Sequence, residues 1–478
     1  MTDRPRLSNA TVDRASADVR RPAHDRARVT PGIVHLGIGN FHRAHQAVYV
    51  DDILAADPGW GIVGASLRRP DMAEALTPQD GLYTLGVREG DDTCARIIGS
   101  VLEVIHAGAD PAALIERLAD PRIRIVSLTV TEKGYCHDPA TANLDADNRA
   151  VRADLENPDA PHSAPGLLVA AIRMRRARGI APFTVLSCDN LPENGHVTKR
   201  VLAQFAALSD AALSDWIAGN VAFPSTMVDR IVPATTDADR AAMAALTGLD
   251  DAWPVVTEPF SQWVIEDGFG GPRPDFGAVG AQIVADVAPF EAMKLRMLNG
   301  AHSAIAYLGQ LAGHQTVAEA VGDAAIADFV QAMWAEEIVP TLDVPDTDLG
   351  AYARALADRF ANAALRHRTA QIAMDGSQKV PQRLLATIAD RRKAGASHER
   401  LTRAVAAWIA YVAERGGAVD DPMSGRFVEI ARTHAPGGPD FAEAMVSIRA
   451  VFGELAEATD FRADVVRAVQ SLSVSGGS

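Results

Sequence analysis

Residues 33–44 read Ile33-Val-His-Leu-Gly37-Ile-Gly39-Asn-Phe-His42-Arg-Ala44. An apolar run rich in β-branched residues leads into two glycines and then into a segment that is able to form a helix. In a dinucleotide-binding turn, such glycines allow a tight turn and a close approach of the backbone to a pyrophosphate, which rests on the helix N-terminus. His42 replaces the third glycine of GxGxxG, which implies a looser approach of helix to strand. The motif alone is therefore weak, and a glycine turn in another kind of α/β protein stays an alternative.

The segment after the next apolar run supports a nucleotide site. Residues 60–67 read as a strand and are followed by Arg68, Arg69 and Asp71, about thirty residues after the glycines. An acidic side chain there can bind the ribose hydroxyls of NAD, so Asp71 is a predicted cofactor ligand. The two arginines would instead favour the 2′-phosphate of NADP, which stays the second possibility. Asp71 is also a candidate N-cap of a helix that begins at Met72.

Composition limits the class of protein. A chain of 478 residues with 48% hydrophobic and 22% charged residues is typical of globular proteins with two or three domains. The net charge of −15 argues against a general nucleic-acid surface, because phosphate binding needs clustered Lys and Arg. The apolar runs are too short to cross a bilayer, and no signal-peptide pattern is present, so we expect a cytoplasmic enzyme of small molecules with no membrane partner.

The character of the sequence changes near residues 286–292. Before this point, short apolar runs that read as strands alternate with helical stretches; these runs are 33–38, 60–67, 123–130 and 183–187. After Pro289 the chain is Ala-rich and periodic like helices, most clearly over 317–337, 349–360, 398–415 and 441–458. The pattern predicts an enlarged, doubly wound Rossmann-type domain over 1–287 and an all-helical substrate and catalytic domain over 288–478, with the active site between them.

The segment at this boundary carries the residues for alcohol oxidation. If it forms a regular α-helix, Asn299 lies about 140° and His302 about 80° around the axis from Lys294, so all three share one side. A lysine whose pKa is lowered by burial can take the hydroxyl proton, and an asparagine amide can hold the developing oxyanion. Each residue alone also has an ordinary structural explanation, such as a helix end before Gly300 for Asn299.

Two other dehydrogenase chemistries are disfavoured. None of the six tyrosines has a lysine four residues later, so the Tyr-Lys pair of short-chain dehydrogenases is absent. The three cysteines lie far apart, and the histidines 35, 42 and 45 sit at the nucleotide turn. The sequence therefore predicts no bound metal and no disulfide framework.

These segments together resemble the mannitol dehydrogenase family, the metal-independent, long-chain polyol dehydrogenases that include fructuronate reductases. The resemblance covers nearly the whole chain, and its motifs are Gly37-Ile-Gly-Asn-Phe-His-Arg-Ala-His-Gln46, Val126-Ser-Leu-Thr-Val-Thr-Glu132-Lys-Gly-Tyr135, Ser187-Cys-Asp-Asn190-Leu-Pro-Glu-Asn194-Gly195, Met227-Val-Asp229-Arg-Ile231, Lys294 to His302 and Asp375-Gly-Ser-Gln-Lys379. Several of these motifs are long and unusual, which makes chance similarity improbable.

The resemblance implies a role for each matching residue. Lys294 corresponds to the general base, Asn190 and Asn299 to the ligands of the reacting oxygen, and Glu132 to a gate on a proton path. His302 and Lys379 correspond to substrate contacts, and Val228 and Asp229 line the nicotinamide and substrate region. The predicted catalytic residues are Lys294, Asn190, Asn299, His302 and Glu132. The predicted substrate ligands are Asp229, Lys379, Arg366, Arg368 and Asn194. The predicted cofactor ligands are Gly37, Ile38, Gly39, Asn40, Phe41, Asp71 and Val228.

One departure from the family pattern bears on the substrate. In the pattern of the mannitol dehydrogenases, an Arg lies eight residues before the lysine of the Asp-Gly-Ser motif. This chain has Gln371 at that position, and Arg366 and Arg368 lie just before it. This pattern looks more like the fructuronate reductase branch, because Arg can bind a carboxylate through two hydrogen bonds. We expect D-mannonate and D-fructuronate as substrate pair. The alternative explanation for the two arginines is a solvated basic end of a helix. The alternative functions are a mannitol 2-dehydrogenase and a catalytically inactive nucleotide-binding regulator. The oligomeric state, monomer or dimer, stays open.

Overall fold

The computed structural model describes residues 4–138 and 141–475, and the chain separates between Ala288 and Pro289 into two compact units. The strands are β1 (Pro31–Leu36), β2 (Gly61–Ser66), β3 (Tyr83–Glu89), β4 (Asp92–Ile98), β5 (Val101–His106), β6 (Ile125–Leu128), β7 (Thr184–Ser187), β8 (Thr226–Asp229), β9 (Val255–Thr257), β10 (Gln262–Glu266) and β11 (Gln282–Val284). All of them lie in the N-terminal unit.

The central sheet of this unit is parallel, in the order β5-β2-β1-β6-β7. Counted along the chain within this sheet, the order is 3-2-1-4-5, so the direction of winding reverses between β1 and β6. In a doubly wound sheet, ligands bind beyond the carboxyl ends of the strands at this switch point. The sequence-based prediction of a doubly wound parallel sheet is confirmed; the edge strand β5 and the β3–β4 hairpin were not predicted.

Both faces of the central sheet are buried, which explains the continuous apolar runs of its strands. Val34 and Val126 point into one hydrophobic core, whereas Ile33 and Ile125 point into the core on the opposite face. The strands alternate in this way because successive side chains of a strand point to opposite sides. Two further three-stranded sheets, β4-β3-β9 and β11-β10-β8, enlarge the unit.

Helices cover the sheet and connect its strands. Those of the N-terminal unit are α1 (Asn40–Ala44), α2 (Gln46–Ile53), α3 (Asp71–Leu76), α4 (Pro111–Ala119), α5 (Arg149–Glu156), α6 (Ala164–Ala177), α7 (Asn194–Ala207), α8 (Ala211–Asn220) and α9 (Asp237–Thr247). Several of these helices have a side-chain cap at the N-terminus. Before α6, for example, the Ser163 hydroxyl accepts a hydrogen bond from the Gly166 N–H. Such caps satisfy donors that would otherwise stay unpaired at the helix start.

The second unit is all-helical over the described residues, as predicted. Its helices are α10 (Ala288–Met293), α11 (Gly300–Leu311), α12 (Val317–Gly322), α13 (Ala324–Ala332), α14 (Leu349–Ala361), α15 (Thr369–Ile372), α16 (Gly376–Val380), α17 (Ala386–Lys393), α18 (Glu399–Glu414), α19 (Ser424–Thr433), α20 (Pro439–Val446), α21 (Arg449–Phe452) and α22 (Thr459–Ser475). Among the described residues, none of the helices is long and apolar enough to cross a membrane.

Two of the predicted helices are interrupted. The helix expected over 317–337 breaks at Asp323, which ends α12 and caps α13 by accepting a hydrogen bond from the Ala325 N–H. The helix expected over 441–458 breaks before α21 and again at Gly453, whose φ of +55° takes the chain out of the helical conformation. The periodicity continued through both breaks because each side of the break still buries an apolar face.

Candidate active site

The turn after β1 requires glycine. Gly37 has a φ of +93°, and a Cβ on it would lie 2.1 Å from the carbonyl oxygen of Thr129, so no other residue fits without displacing the end of β6. Gly39 is exposed and precedes α1, and a Cβ there would meet only the Gly37 carbonyl, at 3.8 Å. No side chain of the described residues caps the start of α1, where Gly39 is the N-cap residue. This turn fits the pyrophosphate of a dinucleotide.

A pair of histidines fills the place of the missing third glycine. The rings of His35 and His42 stack with their centroids 3.4 Å apart and their planes 10° apart. His35 bonds to the Ser127 hydroxyl through Nδ1 and to the Thr129 hydroxyl through Nε2, both at 2.8 Å. Burial lowers the pKa of His35 to about 3 and holds the pKa of His42 well below 6.5. Both rings are therefore neutral, and they connect α1 and β1 to the end of β6.

The other side chains of the turn point into the protein. Ile38 packs over β2, where a Cβ on Gly64 would meet it at 2.2 Å. The Asn40 amide donates to the Thr235 hydroxyl at 3.1 Å and accepts from the Arg43 guanidinium. Phe41 stacks on His45 with ring centroids 5.1 Å apart. Cofactor contacts predicted for Ile38, Asn40 and Phe41 would therefore come from their backbone.

Asp71 is the first residue of α3, with Pro70 in the N-cap position. The alternative in which Asp71 is the N-cap is thus wrong, because the helix begins one residue earlier than expected. Arg69 Nε donates to the Asp71 carboxylate at 3.2 Å, and this hydrogen bond lowers the pKa of Asp71. The carboxylate is ionised near neutral pH and lies just past the carboxyl end of β2.

The segments that follow β6 and β7 are joined through Asp189. Its carboxylate accepts hydrogen bonds from the N–H groups of Val130 and Thr131 at 2.9 and 2.8 Å and from the Tyr135 hydroxyl at 2.7 Å. Thr131 has a φ of +64° and a ψ of 162°, a conformation that is strained for any residue with a Cβ. Such strain clusters at functional sites. It places Glu132, which is exposed, at the start of the short helical turn Glu132–Tyr135.

Asn190 and Asn194 occupy different environments. Asn190 is exposed directly after Asp189. Asn194 is buried, and its amide donates to the carbonyls of Asp189 and Thr226 at 3.1 and 2.8 Å while its oxygen accepts from the Thr226 N–H at 3.0 Å. The Asn194 amide thus ties the loop after β7 to β8, and its predicted contact with substrate stays a prediction.

Strand β8 carries two predicted site residues. Val228 and Asp229 are its last residues, and both are buried. The Thr226 hydroxyl donates a hydrogen bond to the Ser187 carbonyl at 2.6 Å, which brings β8 beside the end of β7. The predicted residues of the N-terminal unit therefore lie just past the carboxyl ends of β1, β2, β6 and β7 or, for Val228 and Asp229, in the last two residues of β8.

The predicted catalytic helix is not a regular α-helix. Residues Lys294–Asn299 form a π-helical turn between α10 and α11, in which the Gly300 N–H donates to the Leu295 carbonyl five residues back. A π-helix has more residues per turn than an α-helix, so residues five apart are separated by a smaller angle around the axis than in an α-helix. Lys294 and Asn299, both half-buried, are therefore closer around the axis than the α-helical spacing predicted.

His302 lies one turn further along, in α11, with 7% of its surface exposed. Its ring contacts Phe360 and His367, at centroid distances of 4.6 and 5.1 Å. Burial, with the nearby His367, Arg383 and Arg359, holds the pKa of His302 well below 6.5. Its Nε2 is a buried atom without a hydrogen-bond partner among the described residues. A neutral imidazole with an unsatisfied nitrogen is suited to bind a substrate hydroxyl.

The remaining predicted substrate ligands of the helical unit are less enclosed. The Lys379 ammonium donates to the Met374 carbonyl at 2.6 Å and lies 4.0 Å from the Asp375 carboxylate. Arg366 and Arg368 are exposed, whereas His367 between them turns inward to His302. The sequence analysis did not single out His367, although its position between the two arginines was a signal. Among the described residues, no group of three or more His, Cys, Asp or Glu side chains could hold a metal ion.

Known proteins match the chain along nearly all of its length. The model described as the mannitol dehydrogenase Rossmann domain matches residues 31–277, and the one described as the mannitol dehydrogenase C-terminal domain matches residues 286–473. The chain belongs to the mannitol dehydrogenase family. The predicted resemblance is confirmed, and with it the prediction that the chain is an oxidoreductase.

Individual relatives come from both branches of this family. D-mannonate oxidoreductase of Escherichia coli is 46% identical over 98% of each chain. A mannitol 2-dehydrogenase of Cereibacter sphaeroides is 41% identical over 95% of this chain and 96% of its own. Among solved structures, the ternary complex of Pseudomonas fluorescens mannitol 2-dehydrogenase with NAD and D-mannitol has a TM-score of 0.87 at 38% identity, covering 98% of this chain and 97% of that one.

Proposed function

We propose that this family member interconverts a secondary alcohol and a ketone on an open-chain sugar acid with NAD(H), and that D-mannonate and D-fructuronate are the substrate pair. The observation that carries the choice of substrate is the 46% identity to D-mannonate oxidoreductase over 98% of both chains. The similarity is higher than to the mannitol 2-dehydrogenase of Cereibacter sphaeroides, at 41%.

The turn after β1 supports NAD as the cofactor. Gly37 leaves no room for a Cβ and Gly39 is open, which is the combination that lets a pyrophosphate approach the backbone. Asp71 would accept hydrogen bonds from the ribose hydroxyls, and Val228 would border the nicotinamide. When bound, NAD supplies the acceptor for the hydride of the substrate carbon. NADP stays the alternative cofactor.

The residues of the chain supply the proton transfer and the binding of the reacting oxygen. In the oxidative direction, the Lys294 amine takes the proton of the substrate hydroxyl. The amides of Asn299 and Asn190 donate hydrogen bonds to the oxygen as negative charge develops on it. Glu132, exposed at a strained turn, would pass the proton between Lys294 and solvent.

Other groups would orient the substrate. The unsatisfied Nε2 of neutral His302 suits a hydroxyl of the substrate chain. Lys379 and Asp229 are proposed to bind further hydroxyls. Placement of the active site between the two units, the cytoplasmic location and the oligomeric state stay predictions.

A mannitol 2-dehydrogenase is the second candidate, favoured by the TM-score of 0.87 to the Pseudomonas fluorescens enzyme. The test is to measure kcat/KM for D-mannonate, D-fructuronate, D-mannitol and D-fructose with NAD(H). We expect the two acids to be the better substrates in their respective directions. A clear preference for mannitol and fructose would replace the proposed substrate by the alternative.

The arginines predicted from sequence allow a sharper version of this test. If Arg366 or Arg368 binds the carboxylate, replacing it by Ala lowers kcat/KM for mannonate by roughly tenfold to a hundredfold, because a hydrogen bond between charged groups contributes about 1.5 to 3 kcal/mol. Turnover of mannitol should hardly change. Arg354→Ala, which removes another exposed arginine of the same unit, is the matched control. Equal losses for mannitol and mannonate would exclude both arginines as carboxylate ligands.

A further inference from the structure

Over its described residues, the helical unit contains three π-helical turns. We name them π1 (Lys294–Asn299), π2 (Met333–Ile338) and π3 (Pro381–Leu385). Turns of this kind are rare, occur mainly as single insertions in α-helices, and are frequent at functional sites. Here π1 carries two predicted catalytic residues, and both π2 and π3 contribute groups that contact it.

The contact from π2 is a hydrogen bond from an indole. Trp334 Nε1 donates to the carbonyl oxygen of Met297 at 2.9 Å, and both residues are fully buried. The Trp334 ring is held in place by stacking on Phe360, at a centroid distance of 6.0 Å. A side-chain donor that reaches a carbonyl inside a helix is a recognised cause of departure from the regular i to i+4 pattern. Trp334 therefore stabilises π1 from outside the helix.

The contact from π3 depends on a glycine. A Cβ on Gly300, at the end of π1, would lie 2.8 Å from the backbone carbonyl oxygen of Arg383. Backbone oxygens in a packed helix cannot move as a flexible side chain can, so Gly300 is needed for this approach. The Arg383 guanidinium also donates to the Ser303 hydroxyl at 3.2 Å and contacts the Asn299 carbonyl at 3.4 Å. This packing holds the last residues of π1 against π3.

The two contacts act on the relative placement of Lys294 and Asn299. In a regular α-helix, residues five apart lie about 140° from each other around the axis. In a π-helix, where the hydrogen bond spans five residues, each turn holds more residues, so the angle between them is smaller. A proton acceptor and an amide donor that serve the same substrate oxygen need to project in nearly the same direction.

We propose that Trp334 and Gly300 are positioning residues that maintain π1, and thereby direct the Lys294 amine and the Asn299 amide to one substrate oxygen. The inference rests on the proposed function of Lys294 and Asn299. According to this proposal, contacts from π2 and π3 determine the relative placement of Lys294 and Asn299.

The test compares Trp334→Phe with Trp60→Phe. The first change removes the hydrogen bond to Met297 and keeps a ring of similar shape. The second removes the hydrogen bond from the buried Trp60 indole to Asp57, 2.7 Å long, at the opposite end of the central sheet from the nucleotide turn. It is matched because both changes delete one indole donor from a buried site.

We expect Trp334→Phe to lower kcat by between about tenfold and a hundredfold, since a misplacement of about 1 Å is enough for such a loss. The dissociation constant of NADH should stay within about twofold, because the nucleotide turn lies in the other unit. Trp60→Phe should keep kcat within about twofold at a similar decrease of the unfolding midpoint. Equal kcat values for the two variants would overturn the proposal, since they would show only a general loss of stability.

Gly300→Ala gives a second measurement that holds if Trp334→Phe does not fold. Alanine favours an ordinary helix, so this change should be tolerated except for the clash with Arg383. Gly322→Ala, in α12 with no atom within 4 Å of the added Cβ, is its control. We expect kcat to fall for Gly300→Ala alone; unchanged kcat in a folded Gly300→Ala variant would also overturn the proposal.

Lys294→Ala separates this inference from the proposed function. If that variant keeps its kcat, the role of Lys294 as base is wrong, whatever Trp334→Phe does. If Lys294→Ala is inactive while folded Trp334→Phe and Gly300→Ala both turn over like the wild type, the base is right and the positioning role is wrong. If all three lose kcat with NADH binding retained, both are supported.

Discussion

The nucleotide turn and the catalytic helix achieve their geometry in opposite ways. The turn at Gly37–His42 depends on backbone conformation, since the φ of +93° at Gly37 is one that residues with a Cβ rarely adopt. The placement of Lys294 and Asn299 depends on a π-helical turn, which contacts from other helices stabilise. Its contacts come from Trp334 and Arg383, which are 37 and 84 residues away from their partners Met297 and Asn299. A local conformational requirement leaves a mark in the local sequence, whereas a requirement met by distant packing does not.

The largest effect is expected from a substitution in the catalytic helix. We expect Lys294→Ala to lower kcat by about a thousandfold or more while the dissociation constant of NADH stays nearly unchanged, because general base catalysis contributes about a hundredfold to ten-thousandfold to the chemical step alone. Steady-state kinetics and NADH fluorescence titration measure the two quantities. Lys393→Ala, an exposed lysine of the same unit, is the control. A Lys294→Ala enzyme with wild-type kcat would remove this residue from the mechanism.

A smaller effect is expected at the turn. Gly37→Ala should weaken NADH binding at least about tenfold and destabilise the protein by about 1 to 3 kcal/mol, because the new Cβ meets the Thr129 carbonyl and the positive φ is strained. Gly90→Ala is the matched control: Gly90 also has a positive φ, of +55°, but nothing lies within 4 Å of an added Cβ. It should cost stability without weakening NADH binding. Equal binding by the two variants would show that the approach at Gly37 does not shape the cofactor site.

The smallest effect concerns the neutral histidines of both regions. Burial holds the pKa of His35 at about 3 and the pKa values of His42 and His302 well below 6.5. Below pH 6.5 the unfolded chain therefore binds protons that the folded chain does not, so the free energy of unfolding should fall as pH decreases and be fully present above pH 7. For His35, whose folded-state pKa is about 3, the loss at pH 5.5 is about 1.4 kcal/mol.

Urea unfolding between pH 5.5 and 8 checks this prediction. Glutamine does not titrate, so His42→Gln and His302→Gln should each reduce the pH dependence of the free energy of unfolding. His42→Gln tests the histidine of the nucleotide turn, and His302→Gln tests the histidine of the catalytic helix. A pH dependence that neither change alters would mean that these two rings are not the source of the acid sensitivity.

Much of the fold was predictable from local patterns. The strands β1, β2, β6 and β7 lie within two residues of the predicted apolar runs, because strands buried on both faces need continuous apolar sequence. The edge strand β5 was missed because Glu103 and His106 interrupt its apolar pattern, which an edge position tolerates. The breaks of the predicted helices at Asp323 and Gly453 were missed because the apolar periodicity continues across them.

The candidate site, too, was predictable from the sequence only in part. The predicted helix face, and then the family motifs, singled out Lys294, Asn299 and His302, whose chemistry is a property of the side chains themselves. They did not reveal that the Asn194 amide is taken by the backbone of Asp189 and Thr226, or that His367 faces His302. Partners of this kind lie far apart along the chain, and no local pattern records which of them meet.

The amino-acid sequence by itself determined the doubly wound sheet, the glycine turn after β1, the helical second unit and the membership in a dehydrogenase family. The first three follow from requirements that one residue or one short period meets locally, such as the positive φ of Gly37, and the family membership follows from motifs spread along the chain. The tertiary structure alone settled the π-helical turn at Lys294–Asn299 and the stacking of His42 on His35 in place of a third glycine. Both depend on packing between segments distant in sequence, where the fit of buried surfaces outweighs the intrinsic preference of either segment.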